Sequence, residues 1–165
     1  MIEGFVNWLQ ATSLSGTIRT AMWMIPAIQT VHILCIAIVM SSTAMLDLRL
    51  LQILHHPHSI GRMAKRFLPW VWGALCILLA SGSLLVVAEP ERELGSPAFR
   101  FKLIMIALVI PLTLALQLTL RRNEDFWSLS PGRRAGARAL AVVSFLIWVS
   151  ILAAGRWIAY YQAPT

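Results

Sequence analysis

Four stretches of this sequence run for 17 to 25 residues without a charged side chain, and they decide most of what the chain can fold into. Ala21–Met45 is 25 residues long, Phe67–Ala88 22, Leu103–Leu120 18 and Ala139–Gly155 17. About 20 mostly apolar residues make a helix long enough to cross the hydrocarbon core of a bilayer. A helix satisfies its own backbone N–H and C=O groups, which find no water there. Barrel strands would instead alternate in polarity and turn after about 10 residues. The expected fold is therefore all-α, a membrane-spanning four-helix bundle in a single domain over residues 1–165. Its spans fall at about 21–45, 67–88, 103–120 and 137–158.

Composition supports this class. Charged residues are 13% of the chain, against about 25% in soluble domains. That is too few for a water-covered surface, and the 58% hydrophobic content excludes disorder. Two cysteines make no disulfide framework. The net charge of +7 reads as a topology signal rather than a nucleic-acid footprint. Nine basic residues flank the first and third connections: Arg49, Arg62, Lys65, Arg66, Arg121, Arg122, Arg133, Arg134 and Arg138. Five lie on the other side: Arg19, Arg92, Arg100, Lys102 and Arg156. That bias places the two connections inside a bacterial inner membrane and both termini outside.

The first 15 residues lack the basic start of a signal peptide, since Glu3 stands where Lys or Arg is expected. Ile2, Phe5, Val6 and Leu9 recur at helical spacing, so a short interfacial N-terminal helix is expected. In the second span Gly73, Cys76, Ala80 and Ser83 form a stripe of small residues, and Ala153, Ala154 and Gly155 thin the fourth. Small residues let membrane helices approach closely, so both are expected to be packing contacts.

Polar residues within the spans are the candidates for function. His32 lies about 16 Å along the first span at 1.5 Å per residue. An ionisable side chain at that depth faces the bundle interior. It suits a haem ligand or a proton or quinone contact, with Gln29 one turn before it and Arg156 as a further cofactor contact. The plain alternative is a histidine hydrogen-bonded to a neighbouring helix. No other span holds a histidine, so a bis-histidine haem b site is incomplete. Asp47 and Arg49, two residues apart, do not face each other on a helix and need other partners. Lys102 and Gln117 join them as structural polar groups. His55, His56 and His58 are a weak metal candidate, without the i, i+4 helix spacing or a nearby carboxylate. No Walker loop, G-x-S-x-G, H-E-x-x-H or C-x-x-C is present, which reads against familiar enzymatic chemistry.

The chain carries Pro26 and His32 in P-A-I-Q-T-V-H, then Asp47-Leu48-Arg49-Leu50-Leu51. Pro97-Ala98-Phe99-Arg100-Phe101-Lys102 opens the third span, and Ala154-Gly155-Arg156-Trp157 closes the fourth. In these it resembles an uncharacterised family of small bacterial four-helix integral membrane proteins. The resemblance implies the fold, the inner membrane, and importance for His32, Asp47, Arg49, Lys102 and Arg156. It also implies a histidine late in the third span, where this chain has Gln117. The expected role is a non-catalytic membrane subunit or helper, contacting the lipid bilayer and a membrane-protein partner or a second copy, with no nucleic acid. The alternatives are a small redox protein using haem b or quinone through His32, and a small-molecule or ion permease.

Overall fold

The computed structural model describes residues 2–53, 60–122, 130–158 and 160. The described residues form α1 (Ile2–Gln10), α2 (Ser13–Thr20), α3 (Met24–Leu50), α4 (Ile60–Ala88), α5 (Pro90–Gly95), α6 (Pro97–Arg122) and α7 (Pro131–Ile158). Four of these, α3, α4, α6 and α7, are long and apolar enough to cross a membrane. The fold is thus all-α, four long apolar helices packed together with short helices at the N-terminus. It is a multi-pass membrane protein.

Each long helix except α3 starts before its uncharged stretch. Backbone hydrogen bonding continues past the apolar region, so α4 takes in Arg62, Lys65 and Arg66, and α7 takes in Arg133, Arg134 and Arg138. Pro90, Pro97 and Pro131 stand at helix starts, where a fixed φ and a missing N–H cost nothing. Ser130 caps α7 by accepting the Arg133 N–H at 3.3 Å. Pro69 and Pro111 lie inside α4 and α6, and both helices continue through them. The α3 terminus closes with Gln52 N–H donating to Arg49 O (3.0 Å) and Ile53 N–H to Leu48 O (3.1 Å). This closure puts Gln52 at φ 62°, a conformation usually left to glycine. The Gln52 side chain is held in turn, its Oε1 accepting from Arg138 Nη2 of α7 at 2.6 Å.

Around the bundle the order is α4–α3–α7–α6. The broadest contacts are α3 with α4 and α6 with α7, followed by α3 with α7, while α4 and α6 touch over less. The core has two apolar layers. Near the Gln52 end, Leu46 and Leu50 pack on Met63, Ala64, Leu68, Leu116 and Ala141. Mid-bundle, Cys35, Val39, Val71, Ala74, Val109 and Trp148 form a second, dry layer. Outward-facing hydroxyls are satisfied within their own helices. Thr30 donates to Pro26 O, Ser83 to Leu79 O and Ser150 to Leu146 O, each at 2.8 Å. Backbone carbonyls are the partners such groups find in lipid.

The small stripe of α4 does not pack as expected. Gly73, Cys76, Ala80 and Ser83 are all exposed, and no atom lies within 4 Å of where a Gly73 Cβ would be. The buried line runs instead through Ala64, Leu68, Val71, Ala74, Ser81 and Ala88. In lipid a large apolar side chain is equally at home outside, so residue size alone did not select the inner face. On α7 the expected packing holds at Ala154, which is buried, and Gly155, which is half-buried, but not at Ala153, which is exposed.

The N-terminal segment forms two helices rather than one. Thr12 makes the joint: its hydroxyl donates to Leu9 O at 2.6 Å and accepts the Ser15 N–H at 3.3 Å. Val6, Leu9 and Ile18 bury against the bundle. Phe5 and Trp8 stay exposed, their rings stacked at 5.8 Å. A pair of aromatic rings beside a bundle end suits the headgroup layer of a membrane.

Candidate functional site

Two polar groupings interrupt the apolar interior, one on each side of the dry layer. The first gathers at the α5 end. His32 starts two turns inside α3, about 12 Å from Met24 at 1.5 Å per residue. Its Nδ1 is 2.8 Å from Ser81 Oγ of α4. Ser81 gives its single hydrogen to Ile77 O at 2.7 Å, so toward His32 it accepts and Nδ1–H donates. In the neutral ring Nε2 is then the acceptor. Gly82 lies alongside the imidazole: a Cβ there would make van der Waals contact with His32 Cε1 at 3.4 Å.

Lys102, half-buried on α6, is near enough for its charge to act on both His32 and the buried Glu93 of α5. Its Nζ lies 4.0 Å from where a Gly155 Cβ would be. Five helices therefore contribute: His32, Ser81 with Gly82, Glu93, Lys102 and Gly155. The sequence singled out His32 and Lys102 but missed Glu93, which sits in a surface-like run of Glu89, Glu91, Arg92 and Glu93. The available signal was its helical offset from the others, since Glu89 and Arg92 pair with each other.

Burial pushes the Glu93 carboxyl above its ordinary value of 4.5, while Lys102 and Arg92 oppose the rise and Glu89 adds to it. A carboxyl held protonated more tightly in the fold than in the unfolded chain stabilises most below its unfolded value. That contribution is lost as pH rises through the raised one. Thermal midpoints in detergent are expected to fall as pH rises from 4.5, and Glu93→Gln to remove this part of the slope. An unchanged slope in the variant would assign the titration to another group.

The second grouping lies near the Gln52 end. Asp47 is 3% exposed and lines a crevice with Thr43, Leu68, Thr113, Leu140 and Ser144. On the same side of the dry layer, Trp72 Nε1 of α4 donates to Gln117 Oε1 of α6 at 2.7 Å. Gln117 is therefore engaged nine α4 residues away from the level of Ser81, about 13 Å along the axis.

The remaining candidates are dispersed. Gln29 is half-buried one turn before His32. Arg156 is exposed, donating from Nη2 to Tyr160 Oη at 2.9 Å and lying 5.1 Å from the tyrosine ring centre. Arg49 is half-buried at the end of α3. His55, His56 and His58 lie outside the described residues. Among the described residues no three His, Cys, Asp or Glu side chains come together as a metal site. Cys35 is buried and Cys76 exposed, both as free thiols.

Residues 5–161 match a family of unknown function, DUF6644, and the chain belongs to that family. No curated protein and no solved structure matches it.

Proposed function

We propose that this DUF6644 chain is a non-catalytic membrane subunit or helper, a single four-span domain of the bacterial inner membrane with both termini outside. The observation that carries this reading is the pairing of interior polar groups within the bundle. His32 is bonded to Ser81 and Gln117 to Trp72, while Glu93 and Lys102 act on each other. The two hydrogen-bonded pairs each tie two different helices. The dry layer of Val39, Val71, Val109 and Trp148 parts the His32 and Asp47 groupings, which supports a scaffold over a continuous permeation path. Asp47, Arg49, Lys102 and Gln117 then serve as structural polar groups, and lipid or a partner chain covers the exposed apolar faces.

A second reading is favoured by one feature, the Nε2 lone pair that the Ser81 bond leaves on His32. That tautomer suits a haem or quinone contact. Purified protein and His32→Gln separate the two. The subunit reading expects no visible cofactor band and a His32→Gln variant that inserts and melts within about 1 kcal/mol of the parent, an amide replacing one hydrogen bond. A Soret band lost in His32→Gln would overturn it in favour of the redox reading.

The topology is tested independently. A reporter fused at the C-terminus is expected to score periplasmic, and one near Arg133 cytoplasmic. The reverse pattern would invert the assignment.

A further inference from the structure

Asp47 is a buried acid near the Gln52 end of α3, held by a side-chain hydrogen bond from Ser144. It is 3% exposed, and its Oδ2 is fully covered with no hydrogen-bond partner. Leaving a carboxylate in that condition is costly.

The crevice it lines is made of oxygen acceptors. Thr43 of α3 and Thr113 of α6 are both buried, and both line the crevice with Asp47. The Thr43 hydroxyl has given its hydrogen to Val39 O at 2.8 Å, and the Thr113 hydroxyl to Val109 O at 2.9 Å. What they present is lone pairs. Ser144 of α7 hydrogen-bonds the carboxyl and adds a fourth oxygen to the crevice. Leu46, Leu68, Leu112, Leu116 and Leu140 complete the wall. Beyond the Ser144 bond, one carboxyl and three hydroxyl oxygens from three helices line the crevice, and Oδ2 has no hydrogen-bond partner there. Hard oxygen ligands of low total charge suit a hard monovalent cation better than a transition metal or a divalent ion.

We infer that Asp47, Thr43, Thr113 and Ser144 form a binding site for a monovalent alkali cation of about the size of sodium, joining α3, α6 and α7. The cation supplies the charge that Oδ2 lacks and ties together three helices at the Gln52 end. Asp47 lies three residues before the last residue of α3, about 4.5 Å along the axis, on the Gln52 side of the dry layer. The inference is independent of the subunit reading, since a scaffold and a redox protein alike would contain the site.

The test is thermal unfolding of the full chain in detergent, with sodium chloride replacing choline chloride at constant ionic strength. The melting midpoint is expected to rise with sodium along a saturating curve, as linkage requires for a ligand of the folded state. Thr113→Val, which keeps the shape and removes one oxygen, is expected to raise the half-saturating sodium concentration about tenfold, the loss of one ion–dipole contact. Asp47→Asn is expected to abolish the sodium dependence, and Ser150→Ala, on the outward face, to leave it unchanged. Identical midpoints in sodium and choline would overturn the site and show that Asp47 is buried as a neutral acid. So would an unaltered sodium curve in Thr113→Val, which stays informative should Asp47→Asn fail to fold.

Discussion

Ala141→Phe is expected to destabilise the bundle by about 1–3 kcal/mol, the usual cost of forcing bulk into a filled core. Ala141 is 0% exposed and packs among Leu46, Leu50, Ala64, Leu68 and Leu116. The layer joins all four long helices, so no single side chain can swing aside to make room. Ala80→Phe is the matched comparison. Ala80 is exposed on α4, so added bulk meets lipid or detergent, and the midpoint of unfolding should stay within about 0.5 kcal/mol of the parent. Reversible unfolding in mixed micelles measures both. Equal damage from the two substitutions would mean that α4 turns its small face inward.

The second large effect is expected at the Glu93–Lys102 pair. Lys102→Met leaves Glu93 buried without the cation that acts on it most strongly. Breaking a buried pair by removing one member costs about 3–5 kcal/mol when burial is complete. Lys102 is only half-buried, so a loss of about 2 kcal/mol is the scale to expect. Adding Glu93→Gln to that variant should restore more than half of the loss, because the stranded charge is then gone. A double variant no more stable than Lys102→Met would show that the two side chains act separately.

The all-α class and the four long apolar helices were legible from the sequence because the bilayer imposes one dominant requirement, an uninterrupted apolar helix of sufficient length. The inward setting of His32 was legible for the same reason, since a ring nitrogen in hydrocarbon needs a partner. Which face of α4 packs was not. Hydrocarbon surrounds the bundle, so apolar side chains carry little information about inside and outside, and the Gly73–Ser83 stripe misled. Ser81 was the better guide, because its position is fixed by the partner it serves on α3. Glu93 escaped notice because its burial depends on α5 folding back over the bundle. Asp47 was expected to need a partner from a distant segment. What defines its surroundings is two threonines whose hydrogens are spent on their own helices, which spacing along the chain does not reveal.

The unequal contacts around the ring also bear on how the protein reaches the bilayer. α3 with α4 and α6 with α7 touch most extensively, and each pair is consecutive in the chain. Each can enter the membrane as a preassembled helical hairpin, the second docking onto the first mainly through α3 and α7. The short α5 segment, Pro90–Gly95, is the hinge between these two insertion units. Two polypeptides separated there and co-expressed would retain every contact within each hairpin, so their reassociation in the membrane would report the strength of the seam alone.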